Sequence, residues 1–198
     1  ELAALRAVPS EGQTETAEEL DLLIRLSPGR TIPPFIQNLT GITDSMLQAE
    51  GVSKRDAAAA FSALLVHPNT LLVAYNAQFD LCFLYYFLAR QKQANILQGV
   101  KLLDAMTVYK DRHDYPHKLC NAIETYGLQG QNTHRAIDDV KATLELLDAM
   151  ATEEDDLAQY VNLFGYHPKY GVSGPRISSV TYRPQGYERH QKLYQSLP

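Results

Sequence analysis

Two adjacent aspartates, Asp138 and Asp139, fall in different arcs of a predicted helix, one charged and one apolar. At about 100° per residue, the segment 135–150 separates a charged arc from an apolar arc. The charged arc, which we expect to face solvent, contains Asp138, Lys141, Glu145 and Asp148. Asp139 lies in the apolar arc. Because a buried carboxylate is costly unless it is paired or binds a metal ion, Asp139 is a candidate metal ligand.

Asp80 poses the same problem on a second predicted helix, 77–91. This helix is apolar nearly all round and is therefore expected to be buried. The side that carries Asp80 also carries Phe83, Leu84, Phe87 and Leu88. An inward carboxylate suits a metal site, although an acid in the first turn also suits the helix dipole. Asn76, at the end of the preceding strand, is typical of an N-cap.

His134 stands five residues before Asp139. Residues at that separation on one helix point about 140° apart. We therefore predict that His134 lies in the loop before the helix, or on a bent first turn, where it can reach the same site as Asp139. The alternative for a single histidine is a surface or capping residue.

The elements that must position these residues alternate between strands and helices. Strands are predicted at 2–7, 20–26, 70–75 and 100–103. Helices are predicted within 33–38, after Thr43, after Ser53, and at 77–91, 105–112, 117–126, 135–151 and 154–164. The polar stretch 10–19 suits a hairpin loop or a bulged connection. This order predicts an α/β sheet with helices packed on it.

The composition fits an ordinary globular domain, alone or with an appendage. Of the 198 residues, 45% are hydrophobic and 21% charged, which excludes a disordered chain. The longest apolar runs are too short to span a bilayer, so we expect no membrane association. Cys82 and Cys120 have no spacing typical of a zinc site or a disulfide framework. A reducing, cytoplasmic location is the default expectation.

The net charge of −5 is divided unevenly along the chain. Residues 165–198 have five basic side chains against Glu188, so this tail is +4 and the preceding part −9. The basic residues are Lys169, Arg176, Arg183, Arg189 and Lys192, and the tyrosines are Tyr166, Tyr170, Tyr182, Tyr187 and Tyr194. Such a mixture can bind single-stranded nucleic acid, but packing of the tyrosines on the domain is the simpler interpretation. We divide the chain into 1–150 and a C-terminal helix and tail, 151–198.

Three segments together resemble one family. NAQFDLCFL (76–84), after an apolar strand, resembles the second motif of DnaQ-like 3′–5′ exonucleases, and HRAIDDVKAT (134–143) resembles the third motif of the DEDDh subgroup. PPFIQNLTGIT (33–43) resembles the substrate-pocket segment of the proofreading exonucleases of bacterial DNA polymerase III, including the PolC kind. The resemblance covers residues 1–150 and implies a ribonuclease H-like mixed sheet flanked by helices.

The resemblance also implies a chemistry. Asp80 and Asp139 would be metal ligands and His134 the general base of a two-metal phosphodiester hydrolysis. Two Mg²⁺ or Mn²⁺ ions, about 3.5–4 Å apart, would hold the scissile phosphate. Hard cations prefer carboxylate oxygens, which accounts for aspartates here. The expected product is a nucleoside 5′-monophosphate.

The resemblance assigns further residues to the substrate. Leu39, Thr40, Gly41 and Ile42 would line the pocket for the 3′-terminal nucleotide. Gly41 permits close approach of the backbone, and the aliphatic side chains can wedge against a base without reading its identity. A core position is the alternative for Ile42. The remaining assignments are that Asn76 would orient the strand–helix junction, and that Phe79 and Phe83 would pack beneath the site.

The family's first motif, Asp-x-Glu, is absent from the sequence, and ELAALRAV resembles the family's second strand instead. Glu1 is therefore not expected to replace that motif. We expect the native protein to contain a central strand with these carboxylates upstream of Glu1, without which the sheet keeps unpaired backbone groups. A strand from another segment, or a degenerate family member, is the alternative.

The function implied is a metal-dependent 3′–5′ exonuclease that acts on single-stranded or frayed ends, with DNA favoured over RNA because of LTGIT. The alternatives are an exoribonuclease of the same superfamily and a non-catalytic module that binds nucleic acid or protein. A tail that docks onto a DNA polymerase or helicase is a third.

Overall fold

The chain begins with an antiparallel hairpin. The computed structural model describes residues 1–10, 13–130, 133–186 and 191–196. Strand β1 (Leu2–Ser10) pairs with β2 (Gln13–Leu22), and the register shifts between Arg6 and Ala7. The polar stretch predicted as a loop is therefore largely strand, because it is stabilised by polar cross-strand pairs such as Arg6–Glu18 rather than by apolar alternation.

Two parallel strand pairs follow. β3 (Leu71–Ala74) pairs with β4 (Lys101–Asp104), and β5 (Leu163–Tyr166) pairs with β6 (Thr181–Pro184). The predicted helix 154–164 is wrong: a 3-10 helix, Leu157–Tyr160, leads directly into β5. Asn162 explains the change, because its side chain accepts a hydrogen bond from Leu102 N and its own N–H donates to Leu102 O, which joins β5 to β4.

Seven helices within the described residues flank these strands. They are α1 (Pro34–Thr40), α2 (Asp44–Ala49), α3 (Lys54–Leu64), α4 (Ala77–Arg90), α5 (Ala105–Arg112), α6 (Leu119–Tyr126) and α7 (Ala136–Glu153). Ser53 begins α3 as predicted, since its hydroxyl accepts a hydrogen bond from Asp56 N. Gly127 ends α6 in the left-handed conformation, which glycine adopts without strain. None of the described helices is both long enough and apolar enough to cross a bilayer.

The core joins the hairpin to the parallel strands. Phe61 of α3 and Leu88 of α4 pack with Leu2 and Leu20 of the hairpin and with Leu72 of β3. Within the described residues, however, β1 pairs only with β2, and β3 pairs only with β4. The hairpin and the β3–β4 pair are thus joined by side-chain packing. Among the described residues, the edge of β1 away from β2 and the edge of β3 away from β4 have no strand paired to them.

The C-terminal segment packs on the domain through its tyrosines, as the simpler interpretation predicts. The Tyr182 hydroxyl donates to Gln78 Oε1 over 2.6 Å, and the Tyr194 ring lies edge-on to Tyr160 at 5.1 Å. The Arg176 guanidinium lies over the Tyr182 ring. The tail residues Tyr187, Glu188 and Arg189 lie outside the described residues.

Candidate active site

The site is built where β3 and β4 end. Because these strands are parallel, their carboxyl ends meet at one edge, and Asp104 at the end of β4 lies opposite Ala74. The Asp104 carboxylate is 3% exposed. Its Oδ1 accepts hydrogen bonds from Asn76 N, Ala77 N and Met106 N at 2.9, 3.1 and 3.2 Å. One buried carboxylate therefore fixes the start of both α4 and α5.

Asp104 was not identified by sequence reasoning, whereas Asn76 was. Asn76 occupies the predicted N-cap position of α4, but its side chain makes no capping bond and its backbone is left-handed at φ 64°. The expected capping role of the side chain is thus replaced by a tight backbone turn that Asp104 holds. An acid at the last residue of an apolar strand, directly before a helix, is the signal that could have indicated Asp104.

Helix α4 presents Asp80 on an outer face, contrary to the prediction of a helix buried all round. The buried residues of this helix are Ala77, Gln78, Leu81 and Leu88. Phe79 and Phe83 are 56% and 66% exposed, so they do not pack beneath the site as predicted. Ala77 and Leu81 pack against β4 and the C-terminal segment, and Leu88 packs against α3 and the hairpin together with the half-buried Leu84 and Phe87. The exposed apolar side chains of the helix are Phe79, Phe83, Tyr85 and Tyr86.

The pKa of the Asp80 carboxyl group is raised above its ordinary value. Although Asp80 keeps accessible surface, partial burial among protein atoms, followed by the negative charges of Asp104 and Asp139, raises its pKa to about 6. Nearby carboxylates raise one another's pKa because two negative charges in one place are unfavourable. The charge of Asp139 on α7 thus contributes to the raised pKa of Asp80 on α4.

Asp139 lies on the first turn of α7 and points inward in part, as its place in the apolar arc predicts. Its Oδ1 is buried and has no hydrogen-bond partner. Burial, followed by the charges of Asp138 and Glu1, raises the pKa of Asp139, and the His134 imidazole opposes this rise. Asp138 is half-buried rather than fully solvated, since it accepts a hydrogen bond from Thr133 Oγ1.

His134 is exposed and lies before α7, as predicted. Its backbone is left-handed at φ 63°, which is uncommon for a residue with a side chain and occurs often at functional sites. Arg135 follows as the N-cap residue of α7. The turn at His134 lets its imidazole influence Asp139, which a continuous helix would prevent.

Glu1 is a further acid at this place that the sequence argument did not assign. Its side chain is 7% exposed, and its carboxylate accepts hydrogen bonds from Ala136 N at 2.8 Å and Arg135 Nε at 2.9 Å. Arg135 also lies 4.0 Å from Asp21 of β2. Glu1 thereby ties the hairpin to the start of α7, one turn from Asp139.

The orphaned oxygen of Asp139 fits a divalent cation, since a buried carboxylate oxygen without a donor is what a cation would satisfy. Two carboxylates alone do not make a complete site. In the part of the chain that the structure describes, no group of three histidine, cysteine or acidic side chains is placed to hold one metal ion. Within the described residues, Asp80 and Asp139 would supply at most two of the side-chain ligands that a divalent cation needs.

The segment predicted to hold the 3′-terminal nucleotide has a mixed outcome. Leu39 is 39% exposed at the end of α1, whereas Ile42 is 6% exposed and belongs to the core, which is the alternative interpretation of that residue. Thr40 donates to Ile36 O and accepts from Ile42 N, and so stiffens the turn. Gly41 ends α1 at φ 71°, with open space where a side chain would stand. Of these four residues, Leu39 and Gly41 are thus exposed and Thr40 is half-buried.

Comparison with known proteins confirms the predicted family resemblance and the ribonuclease H-like fold. The RNase_T family, described as exonuclease, matches residues 1–147. The 3′-5′ exonuclease DinG of Staphylococcus aureus is 31% identical over 119 residues, which make up 59% of this chain and 13% of that protein. The chain therefore spans about one eighth of this relative.

Solved structures of E. coli exonuclease I share the fold. The complex with a dA16 oligonucleotide superposes with a TM-score of 0.68 at 22% identity, over 80% of this chain and 38% of that one. The zinc-bound form in complex with single-stranded DNA gives a TM-score of 0.69 at 22% identity, over 80% and 37% of the two chains.

Proposed function

The chain belongs to the RNase_T exonuclease family, and from that premise we propose that it hydrolyses nucleic acids from their 3′ ends. The observation that carries the proposal is the convergence of Asp80 and Asp139. Their carboxylates come from two helices, the charge of Asp139 contributes to the raised pKa of Asp80, and the Asp139 Oδ1 is buried without a hydrogen-bond partner. His134 lies in a left-handed turn before α7, where its imidazole affects the pKa of Asp139. Metal ligands and a base next to a phosphodiester would need this arrangement.

In this proposal Asp80 and Asp139 hold divalent cations, Mg²⁺ or Mn²⁺, of which the family chemistry uses two. Bound cations would supply charge stabilisation to the attacking and leaving oxygens. The neutral His134 imidazole accepts the proton of the attacking water as a general base. Glu1 and Arg135 keep the start of α7, and with it Asp139, in place.

The proposed ligand set includes the Asp-x-Glu pair that the family pattern places on a central strand. The unpaired edges of β1 and β3 in the described structure are where such a strand would form its hydrogen bonds. Its two carboxylates would bring the acidic ligands to four.

We propose single-stranded DNA as the substrate and nucleoside 5′-monophosphates as the product. The related E. coli structure contains a dA16 oligonucleotide, and the S. aureus relative is named a 3′-5′ exonuclease. The exposed aliphatic side chain of Leu39, beside the open backbone of Gly41, suits contact with a terminal base without reading its identity. A polymerase or helicase partner and a cytoplasmic location stay predictions.

The experiment is a nuclease assay on a 3′-labelled single-stranded DNA oligonucleotide, with any coding sequence upstream of Glu1 included in the protein. We expect release of labelled mononucleotide with Mg²⁺ or Mn²⁺ and none in EDTA. Asp139→Ala should abolish release, whereas Asp138→Ala, one residue away on the same turn, should keep most of it. Activity that persists in EDTA or in Asp139→Ala contradicts the proposal. An RNA oligonucleotide of the same sequence tests the preference for DNA.

A second candidate is a non-catalytic module that binds nucleic acid. The incomplete ligand set of the described residues favours it. Salt-dependent binding of the same oligonucleotide, without turnover in either metal, would support this module and reject the exonuclease.

A further inference from the structure

Helix α4 carries an exposed aromatic stripe that neither folding nor the proposed chemistry uses. Phe79, Phe83 and Tyr86 follow one another at intervals of four and three residues, which places them on one side of the helix. They are 56%, 66% and 54% exposed, and the Phe79 and Phe83 rings lie 4.8 Å apart. Arg90, four residues after Tyr86 and also exposed, ends the stripe. A run of large exposed apolar side chains marks a binding surface more often than an accident of folding.

The two sides of this stripe differ in character. On one side lies Asp80, the proposed metal ligand. On the other side Gln78 fixes the C-terminal segment, because its Nε2 donates to Ser173 O at 2.9 Å and Pro175 O at 2.8 Å. That contact brings Arg176 next to the helix, where its guanidinium lies 5.3 Å from the Tyr182 ring. The stripe is therefore an exposed surface that runs along α4 between Asp80 on one side and the C-terminal loop with Arg176 on the other.

The charged residues near the aromatic stripe of α4 favour an anionic ligand. Although the whole chain carries −5, residues 81–103 contain no aspartate or glutamate and three basic residues, Arg90, Lys92 and Lys101. Arg90 and Lys92 are exposed at the end of α4. Aromatic faces followed by cations form the combination that binds bases and backbone phosphates of single strands.

We propose that Phe83, Tyr86 and Arg90 form a track for single-stranded nucleic acid that leads away from Asp80. Bases stack on the two rings, and a backbone phosphate pairs with Arg90. The direction of the strand, with its 3′ end at Asp80, rests on the proposed function. From Phe79 to Arg90 the helix rises about 16 Å at 1.5 Å per residue. At 3.4 Å per stacked nucleotide, this length accommodates about five nucleotides.

The test measures binding separately from hydrolysis. A 5′-labelled octathymidylate is titrated with the protein in EDTA and followed by fluorescence anisotropy, alongside tri- and pentathymidylate. We expect affinity to rise with length up to about five nucleotides and then to level off. Tyr86→Ala and Phe83→Ala should each weaken binding of the octamer about tenfold, while Tyr86→Trp restores it. Arg90→Gln should weaken binding and lower the slope of log affinity against log salt by about 0.7.

Val66→Ala is the control, since Val66 is 71% exposed and lies outside α4, whereas Tyr85 on α4 contacts the Tyr86 ring edge-on at 5.5 Å. We expect it to change affinity less than twofold. Because all these side chains are exposed, an unchanged thermal midpoint should accompany each variant. Equal losses in Val66→Ala and Tyr86→Ala, or wild-type affinity in the stripe variants, overturn the track. Absence of oligonucleotide binding, with the stripe covered by a protein partner instead, also overturns it.

The outcomes for the track and for the proposed function are distinguishable. Binding that depends on the stripe, without hydrolysis in Mg²⁺ or Mn²⁺, keeps the track and rejects the exonuclease. Hydrolysis that is insensitive to the stripe variants, in rate and in KM, keeps the exonuclease and rejects the track.

Discussion

Replacing Asp104 should show how much stability the hydrogen bonds to its carboxylate contribute to the folded protein. Asp104 is buried and accepts hydrogen bonds from three backbone N–H groups and from Thr107 Oγ1, the last at 2.8 Å. The Asp104→Ala substitution removes the acceptor of all four donors. Asp104→Asn keeps one acceptor oxygen for the backbone groups and turns its amide toward Thr107, whose hydroxyl oxygen can accept.

The expected loss in the free energy of unfolding depends on how deeply the donor groups are buried. Ala77 and Thr107 are 1% and 0% exposed, so water cannot replace the lost acceptor at either of them. A buried donor left without a partner costs about 1–3 kcal/mol, and loss of an N-cap costs about 1 kcal/mol. Since removal of a buried carboxylate offsets part of this cost, we expect Asp104→Ala to lower the free energy of unfolding by about 3–5 kcal/mol. Asp104→Asn should lower it by about 1–2 kcal/mol.

Urea denaturation followed by far-ultraviolet circular dichroism is the suitable assay, because the chain has no tryptophan. Linear extrapolation gives the free energy of unfolding of each variant. The exposed Asp155→Ala variant is the control and should stay within about 0.5 kcal/mol of the wild type. A loss below about 1 kcal/mol in Asp104→Ala, or equal losses in the two Asp104 variants, would refute the role assigned to the carboxylate.

The remaining predictions concern the start of α7 and the titration of the acidic centre. Glu1→Ala should lower the free energy of unfolding by about 1–2 kcal/mol, because Ala136 N and Arg135 lose their acceptor, and Glu1→Gln should lose less than half as much in the same urea titration. Identical effects of the two Glu1 variants would contradict this. Because the folded-state pKa of Asp80 is about 6 and its ordinary value is near 4, the stability that its protonated form contributes is complete below pH 4 and is lost as the pH rises through 6. Mn²⁺ should therefore raise the thermal midpoint more at pH 7.5 than at pH 5, and an equal rise at both values would reject Asp80 as a ligand.

The placement of Asp139 and His134 could be predicted because local periodicity decides it. A helix phase is fixed by its own residues, so the apolar arc of α7 determines that Asp139 turns inward. The five-residue separation from His134 likewise excludes a shared helical face and predicts the turn that the structure shows. Neither inference needs knowledge of what packs against the helix.

Other parts of the site depend on contacts distant in sequence. Asp104 fixes the turn at Asn76 across 28 positions, and Glu1 holds Arg135 across 134. Neither contact has a periodic signal. The same limit explains why residues 13–19 were predicted as a loop, since Thr14 and Glu19 of β2 are stabilised by Asp148 and Lys141 of α7. Polar pairs between elements leave no apolar alternation to detect.

The exposed face of α4 shows where the hydrophobicity argument fails. An apolar helix is expected to be buried all round because exposed aromatic side chains lose the favourable free energy of burial. In α4 only one side is buried, and the prediction fails at Phe79, Phe83 and Tyr86. Disagreement between local preference and global structure is expected at functional sites, and this supports the proposed track.

Charge summed along the sequence locates cations but does not show whether they are free to bind a ligand. The tail is the most basic segment, yet Lys192 pairs with Glu154 at 2.6 Å and Asp156 at 3.6 Å, and Arg176 lies over the Tyr182 ring. These cations already have partners within the fold. Arg90, in contrast, is exposed at the end of α4, in a stretch of 23 residues without an acid. A polyanion that reaches Asp80 therefore meets the exposed positive charge of Arg90 along α4 as well as the cations of the tail.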